Sequence, residues 1–186
     1  MIVVVPQKSI QTIWDQVLGL YDFQKIVGVV AGGETRQESV SAGMEELSDA
    51  PPEIVIVHDG VRPFVTTDMV RRSVQSARQY GAAAVGISAV DTIKMVLNHR
   101  IQATIDRSVL WYARTPQTFR YALLRSAFEK AAADHFIGTD EAMLVEHLGE
   151  SVATVEGSQF NFKITTPAHL ILAETLFEHP EFRENL

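Results

Sequence analysis

The sequence contains no cysteine, which excludes a disulfide framework and thiolate chemistry and fits a reducing cytoplasm. Basic residues are also short: 16 Lys and Arg stand against 23 Asp and Glu, for a formal net charge of −7. That balance argues against broad attraction to nucleic acid or to an anionic membrane surface, while leaving room for a local basic pocket that takes a phosphate. No apolar run approaches the length that spans a membrane. The opening Met1-Ile2-Val3-Val4-Val5-Pro6 has neither the basic region nor the cleavage site of a signal peptide. A soluble, cytoplasmic protein is expected. Internal repeats, low-complexity tracts and linkers are absent, and no Ser, His and Asp arrangement or cluster of metal ligands stands out.

What remains is a chain of 186 residues, 46% of them apolar, long enough for one α/β domain and too short for two ordinary ones. Near-continuous apolar runs at 2–5, 26–30 and 54–57 read as strands covered on both faces, with further strands at 82–90 and 152–155. Helical periodicity places helices at 10–20, 36–47, 67–80, 120–133, 140–148 and 167–177. Gly81 and Gly149 sit where C′ glycines belong, and Thr166-Pro167 reads as a cap followed by proline at the first helical position. This alternation predicts an α/β, Rossmann-like, mainly parallel sheet flanked by helices. One segment interrupts it. Residues 92–97, a turn at Asn98-His99-Arg100 and residues 101–105 form a hairpin pattern, a protruding arm (92–106) too small to be stable alone and therefore suited to packing against a second subunit.

Three segments bear on chemistry. In Ala31-Gly32-Gly33-Glu34-Thr35-Arg36-Gln37-Glu38-Ser39-Val40 a strand passes through two glycines into a helix. Such a turn lets the backbone approach a ligand and offers the helix amides to an anion or a polar base edge. The plainer reading is a turn closed by a Thr35/Glu38 capping box. In Ile54-Val55-Ile56-Val57-His58-Asp59-Gly60-Val61-Arg62-Pro63 an apolar strand ends in an acid and an arginine, at the strand end where open α/β sheets bind ligands. Asp59 is placed to hold Mg²⁺ against nucleotide phosphates, and Arg62 to hold phosphate or brace the acid; the alternative is that the two pair only with each other. His58 reads as a packed strand-end residue. In Phe160-Asn161-Phe162-Lys163-Ile164-Thr165, strand alternation sets Phe160, Phe162 and Ile164 on one face and Asn161, Lys163 and Thr165 on a wet one. Lys163 is then a point charge suited to a phosphate, or simply a solvated lysine. Asp91-Thr92, Asp106-Arg107, Thr115-Pro116-Gln117 and Gly138-Thr139-Asp140-Glu141 are each as readily turns or caps as sites, Thr139 being the simplest N-cap.

Taken in order, GGETRQESVSAG, VHDGVRPF, DTIK, IDRSVLW, RTPQTF, GTDEA, VEGSQFNFKITTP and a last helix containing LILAE resemble the methylerythritol phosphate cytidylyltransferase family over essentially the whole chain. The resemblance implies transfer of a cytidylyl group from CTP to 2-C-methyl-D-erythritol 4-phosphate, giving CDP-methylerythritol and pyrophosphate in non-mevalonate isoprenoid precursor synthesis. It assigns the nucleotide to Gly33, Glu34, Arg36, Ser39 and Gly60, with Asp59 beside the phosphates and Mg²⁺. Arg107 and Lys163 would position the sugar phosphate, helped by Thr92, Thr115, Thr139 and Arg62. It also implies a homodimer whose arms cross, so that Thr92 and Arg107 complete the partner's site.

Ahead of the segment matching residues 2–6, family members carry a strand, a glycine-rich loop with a Pro-Lys pair, and a helix, none of which occurs here. That strand would lie inside the sheet, between those at 2–5 and 54–57. The expectation is a truncated gene product, a fragment or one piece of a split protein, turning over poorly without the loop's cations. Ribitol 5-phosphate cytidyl transfer and a non-catalytic remnant are the competing readings.

Overall fold

In a computed structural model, which describes residues 1–21 and 23–179, the first two strands, β1 (Ile2–Val5) and β2 (Gly28–Ala31), pair in parallel, with Ile2 opposite Gly28 and Val5 opposite Ala31. Between them lies α1 (Ile10–Gln16), followed by a 3₁₀ turn at Leu18–Leu20. After β2 comes α2 (Arg36–Glu45). Two later helices, α4 (Tyr121–Ala133) and α5 (Glu141–His147), pack on each other through buried Leu124, Ala127, Leu144 and Val145. These elements make one compact unit, Met1–Val55 with Arg120–Ser151.

The second unit runs from Ile56 to Phe119 and again from Val152 onward. Its sheet has the order β3 (Ile54–Val57), β7 (Trp111–Arg120), β4 (Ala82–Ser88), β8 (Ala153–Glu156), with β8 parallel and β7 antiparallel to β4. Small apolar residues on β4 let α3 (Thr67–Tyr80) lie close against it through Met69, Ser73 and Ala77, a helical i, i+4, i+8 stripe. Thr66 caps the start of α3 by accepting from the Met69 amide, and Gly81, at φ 93°, ends it in a conformation that disfavours other residues. Phe64 is fully buried, its ring 5.5 Å from Phe162 and 5.1 Å from Phe177 of α6 (Pro167–Glu178). The arm, β5 (Ile93–Leu97) and β6 (Arg100–Ile105), is a separate antiparallel hairpin whose turn residues Asn98 and His99 both have positive φ.

The fold is thus α/β with mainly parallel strands, as expected, and most element bounds fall within three residues of the sequence reading. Three expectations are corrected. Residues 111–120 form a ten-residue strand rather than a turn around Thr115-Pro116-Gln117, with a cis bond at Thr115-Pro116. Residues 160–165 are not a strand: Asn161 is buried and Phe160 exposed, the reverse of the expected faces. The N-cap of α5 is Asp140, which accepts from the Met143 amide, while Thr139 turns its hydroxyl toward the Met143 sulfur. β1 is paired on one side with β2, and β3 on one side with β7.

Candidate active site

The apolar run of β3 stops at Val57, and the chain turns through Asp59 and Arg62, closed by the Arg62 amide donating to the Asp59 carbonyl at 3.0 Å. This turn brings the Arg62 Nε to 3.2 Å from Asp59 Oδ2. The same oxygen lies 2.9 Å from Lys163 Nζ. Asp59 is therefore shared by two cations, one three residues and the other 104 residues further along the chain, its side chain only 11% exposed against 42% for Lys163. The alternative, in which Asp59 and Arg62 pair only with each other, is too narrow.

Thr115, 3% exposed, fixes this turn from β7. Its hydroxyl oxygen accepts from the Asp59 amide at 3.1 Å and lies 3.0 Å from His58 Nδ1. The Arg62 carbonyl, 3.0 Å from Nε2, can only accept, which assigns the imidazole proton to Nε2 and leaves Nδ1 of the neutral ring to accept from the Thr115 hydroxyl. Withdrawal of the ring from water holds His58 below the usual histidine range, against the opposing effect of the Arg62 carbonyl. Both ring nitrogens are engaged by the protein, so His58 is a neutral strand-end brace.

Asn161 ties the Lys163 segment to the rest. Wholly buried, it donates from Nδ2 to the Thr115 carbonyl at 2.7 Å, and its backbone carbonyl accepts from Arg62 at 2.9 Å and from Arg114 at 2.5 Å. Lys163, Arg62 and Arg114 line a cavity of about 260 Å³ together with Tyr112, Phe162 and His169. Asn161 and Arg114 escaped the sequence reading. The strand alternation put Asn161 on a wet face, and Arg114 carries no local signal beyond its charge.

The other expected residues are placed as follows. In the first unit, Gly32 and Gly33 are held by close packing on the first turn of α2: a Cβ at Gly32 would lie 2.6 Å from Ser39 Oγ, and one at Gly33 would lie 2.3 Å from Glu38 Cβ. The Thr35/Glu38 capping box is present, Glu38 also accepting from the Glu34 amide, and Ser39 donates to the Thr35 carbonyl. Arg36 pairs at 2.7 Å with Glu141, whose side chain is 1% exposed. Thr139 is exposed. In the second unit, Gly60 is open, with no atom of the described residues within 4 Å of an added Cβ. Thr92 is exposed at the base of the arm, and Arg107 folds back to donate to the Val90 carbonyl. Asp59, Arg62, Thr115 and Lys163 are thus brought into one hydrogen-bonded group, which includes neither Thr92 nor Arg107.

A metal held by protein alone does not fit: no three His, Asp or Glu side chains gather among the described residues. One carboxylate, Asp59, suits the mode in which Mg²⁺ keeps waters and shares a protein carboxylate with substrate phosphates. No helix among the described residues is long and apolar enough to cross a membrane.

Comparison with known proteins bears on the family of the chain. The profile of the 2-C-methyl-D-erythritol 4-phosphate cytidylyltransferase family matches residues 1–179. A 2-C-methyl-D-erythritol 4-phosphate cytidylyltransferase of Syntrophotalea carbinolica is 44% identical over 178 residues, which is 96% of this chain and 76% of that protein. One from Acidobacterium capsulatum is 47% identical over 177 residues, 93% of this chain and 74% of that protein. The crystal structure of 4-diphosphocytidyl-2C-methyl-D-erythritol synthase from Anaerococcus prevotii superposes with a TM-score of 0.86 at 30% identity, covering 96% of this chain and 81% of that one. The corresponding figures for the cytidylyltransferase of Thermus thermophilus are 0.78, 34%, 96% and 81%. A profile match over nearly all of the chain and relatives above 40% identity settle the kinship: this chain belongs to the 2-C-methyl-D-erythritol 4-phosphate cytidylyltransferase family.

Proposed function

We propose that the chain catalyses transfer of the cytidylyl group of CTP to 2-C-methyl-D-erythritol 4-phosphate, releasing pyrophosphate and supplying CDP-methylerythritol to isoprenoid precursor synthesis in the cytoplasm. The observation that carries this reading is the cationic cavity lined by Lys163, Arg62 and Arg114, two of whose cations contact Asp59, in a chain of this family. The acceptor phosphate attacks the α-phosphorus of CTP in line and pyrophosphate departs. A phosphate oxygen is already an adequate nucleophile, so the reaction asks for position and charge neutralisation rather than a strong base. This accords with a site built of Lys, Arg and one carboxylate.

In this reading Lys163 and Arg62 hold the acceptor phosphate, Thr115 braces Asp59, and Thr139 contacts the sugar phosphate. Gly33, Glu34, Arg36, Ser39 and Gly60 serve the nucleotide. Asp59 is the residue that would hold Mg²⁺ together with the phosphates of CTP, and a cation so bound neutralises charge on the departing pyrophosphate. Residues 1–186 act as one catalytic domain. Given CTP, Mg²⁺ and methylerythritol 4-phosphate, the chain is expected to release pyrophosphate, and to do so more slowly with ribitol 5-phosphate. Release with ribitol 5-phosphate alone would move the assignment to that acceptor, and tight binding without release would mark a non-catalytic protein.

The homodimer is part of the same proposal, with Thr92 and Arg107 of one copy completing the site of the other. Met95, Val96, Leu97 and Ile101 of the arm are all exposed in the single chain, more apolar surface than a free hairpin tolerates. Deleting residues 92–106 is expected to convert a dimer to a monomer in light scattering. A dimer that survives the deletion would place the interface elsewhere.

A further inference from the structure

The cavity beside Lys163 holds one more cation than the family resemblance assigns. Arg114, on β7, lines it together with Arg62 and Lys163. Its guanidinium is anchored from one nitrogen on the Asn161 carbonyl, the same oxygen that receives Arg62. Two guanidinium groups thus converge on a single backbone acceptor. Arg62 also contacts Asp59, and so does Lys163. Among the described residues, no carboxylate pairs with Arg114, and its buried Nε has no hydrogen-bond partner. Burial, reinforced by the neighbouring charge of Arg62, pulls the Arg114 guanidinium below its ordinary value.

A half-buried cation beside a like charge, without a counterion of its own, is costly in the empty protein. A bound anion removes that cost, and a phosphate monoester, with its second charge near neutral pH, matches it better than a singly charged group. We propose that Arg114 is a further substrate-binding residue, a third cation that joins Lys163 and Arg62 in holding the phosphate monoester of the acceptor. This rests on the proposed function and adds a specific consequence: Arg114 contributes to acceptor affinity and not to CTP affinity.

The test compares Arg114→Gln, Arg114→Lys and Lys163→Ala with the unaltered chain. Binding of methylerythritol 4-phosphate and of CTP is followed by calorimetry, KM for each is measured by pyrophosphate release, and thermal unfolding is the control. For Arg114→Gln, loss of one charge-assisted hydrogen bond predicts acceptor binding and KM weakened about tenfold to a hundredfold, with the CTP constants within about twofold. Arg114→Lys, which keeps the charge, is expected to recover most of the loss. If Arg114→Gln binds the acceptor normally while Lys163→Ala does not, the proposal for Arg114 is overturned and the functional reading stands. Equal losses in Arg114→Gln and Arg114→Lys, accompanied by lowered unfolding temperatures, would also overturn it, since they identify Arg114 as a brace for Asn161. An unaltered chain that fails to bind the acceptor sinks the functional reading, and the proposal with it.

Discussion

Replacing Lys163 by alanine is expected to lower kcat for cytidylyl transfer by about 10²–10³, the usual loss when one group that stabilises transition-state charge is removed. The side chain is 42% exposed and its amine lies 2.9 Å from Asp59. Asp59 keeps Arg62 at 3.2 Å after the change, so no buried charge is stranded. The unfolding temperature should therefore barely move. Lys163→Arg should restore part of the activity, because charge returns but a planar fork does not reproduce a compact ammonium. Pyrophosphate release under saturating CTP is the measurement. Normal kinetics with both substrates, or a rate loss that merely tracks a fall in unfolding temperature, would remove Lys163 from the chemistry.

Replacing Arg36 by alanine is expected to act on stability first. Glu141 is 1% exposed, receives Arg36 at 2.7 Å, and has a second buried carboxylate oxygen, Oε2, without a hydrogen-bond partner among the described residues. Burial already raises its carboxyl above the ordinary glutamate value of 4.5, and Arg36 works against that rise. Without Arg36 the carboxylate stands uncompensated, at a cost of about 2–4 kcal/mol, discounted from the usual figure for a broken buried pair because Arg36 itself is 33% exposed. Glu141→Gln keeps the shape, removes the charge and should cost only about 1 kcal/mol.

The pH dependence has a definite sign. A carboxyl whose folded value is raised contributes stability that is present below its unfolded value and is lost as pH rises through the folded one. In Arg36→Ala, where the rise is no longer opposed, the deficit relative to the unaltered chain should therefore be small below the ordinary value of 4.5 and grow above it. Urea unfolding across that range is the check. A deficit independent of pH would mean that Glu141 is not the source. Since Arg36 is also proposed to serve the nucleotide, a rate loss in Arg36→Ala that Glu141→Gln does not share separates that role from stability.

Much of this was readable before any fold was known. The strands at Ile2–Val5 and Ile54–Val57 and the helix Thr67–Tyr80 have the bounds expected from apolar runs and helical period. Their signals are local: near-continuous β-branched runs, although no residue of these two strands is buried and Ile56 is exposed, so the expected cover on both faces is not met within the described chain, and a cap and a glycine bracketing an amphipathic stripe. The hairpin arm was legible for the same reason. β7 was not, because WYARTPQTFR mixes polar, basic and proline residues, yet five consecutive residues of it, 115–119, are buried. Burial of Thr115 and Thr118 is tolerated through hydrogen bonds to distant segments, Thr118 donating to Ser73 and Thr115 to His58. Alternation failed at Asn161 on the same account.

The sequence by itself determined the element order, the caps, the arm and, through motifs in series, the family, because each of these is carried by neighbours along the chain. Only the tertiary structure decided that Asp59 is shared between Arg62 and Lys163, that Asn161 is the buried tie beneath them, and that Arg114 stands beside Arg62 without a carboxylate of its own among the described residues. Those are meetings between residues dozens of positions apart. Electrostatic energy depends on distance and burial in space, and neither is encoded by separation along the chain.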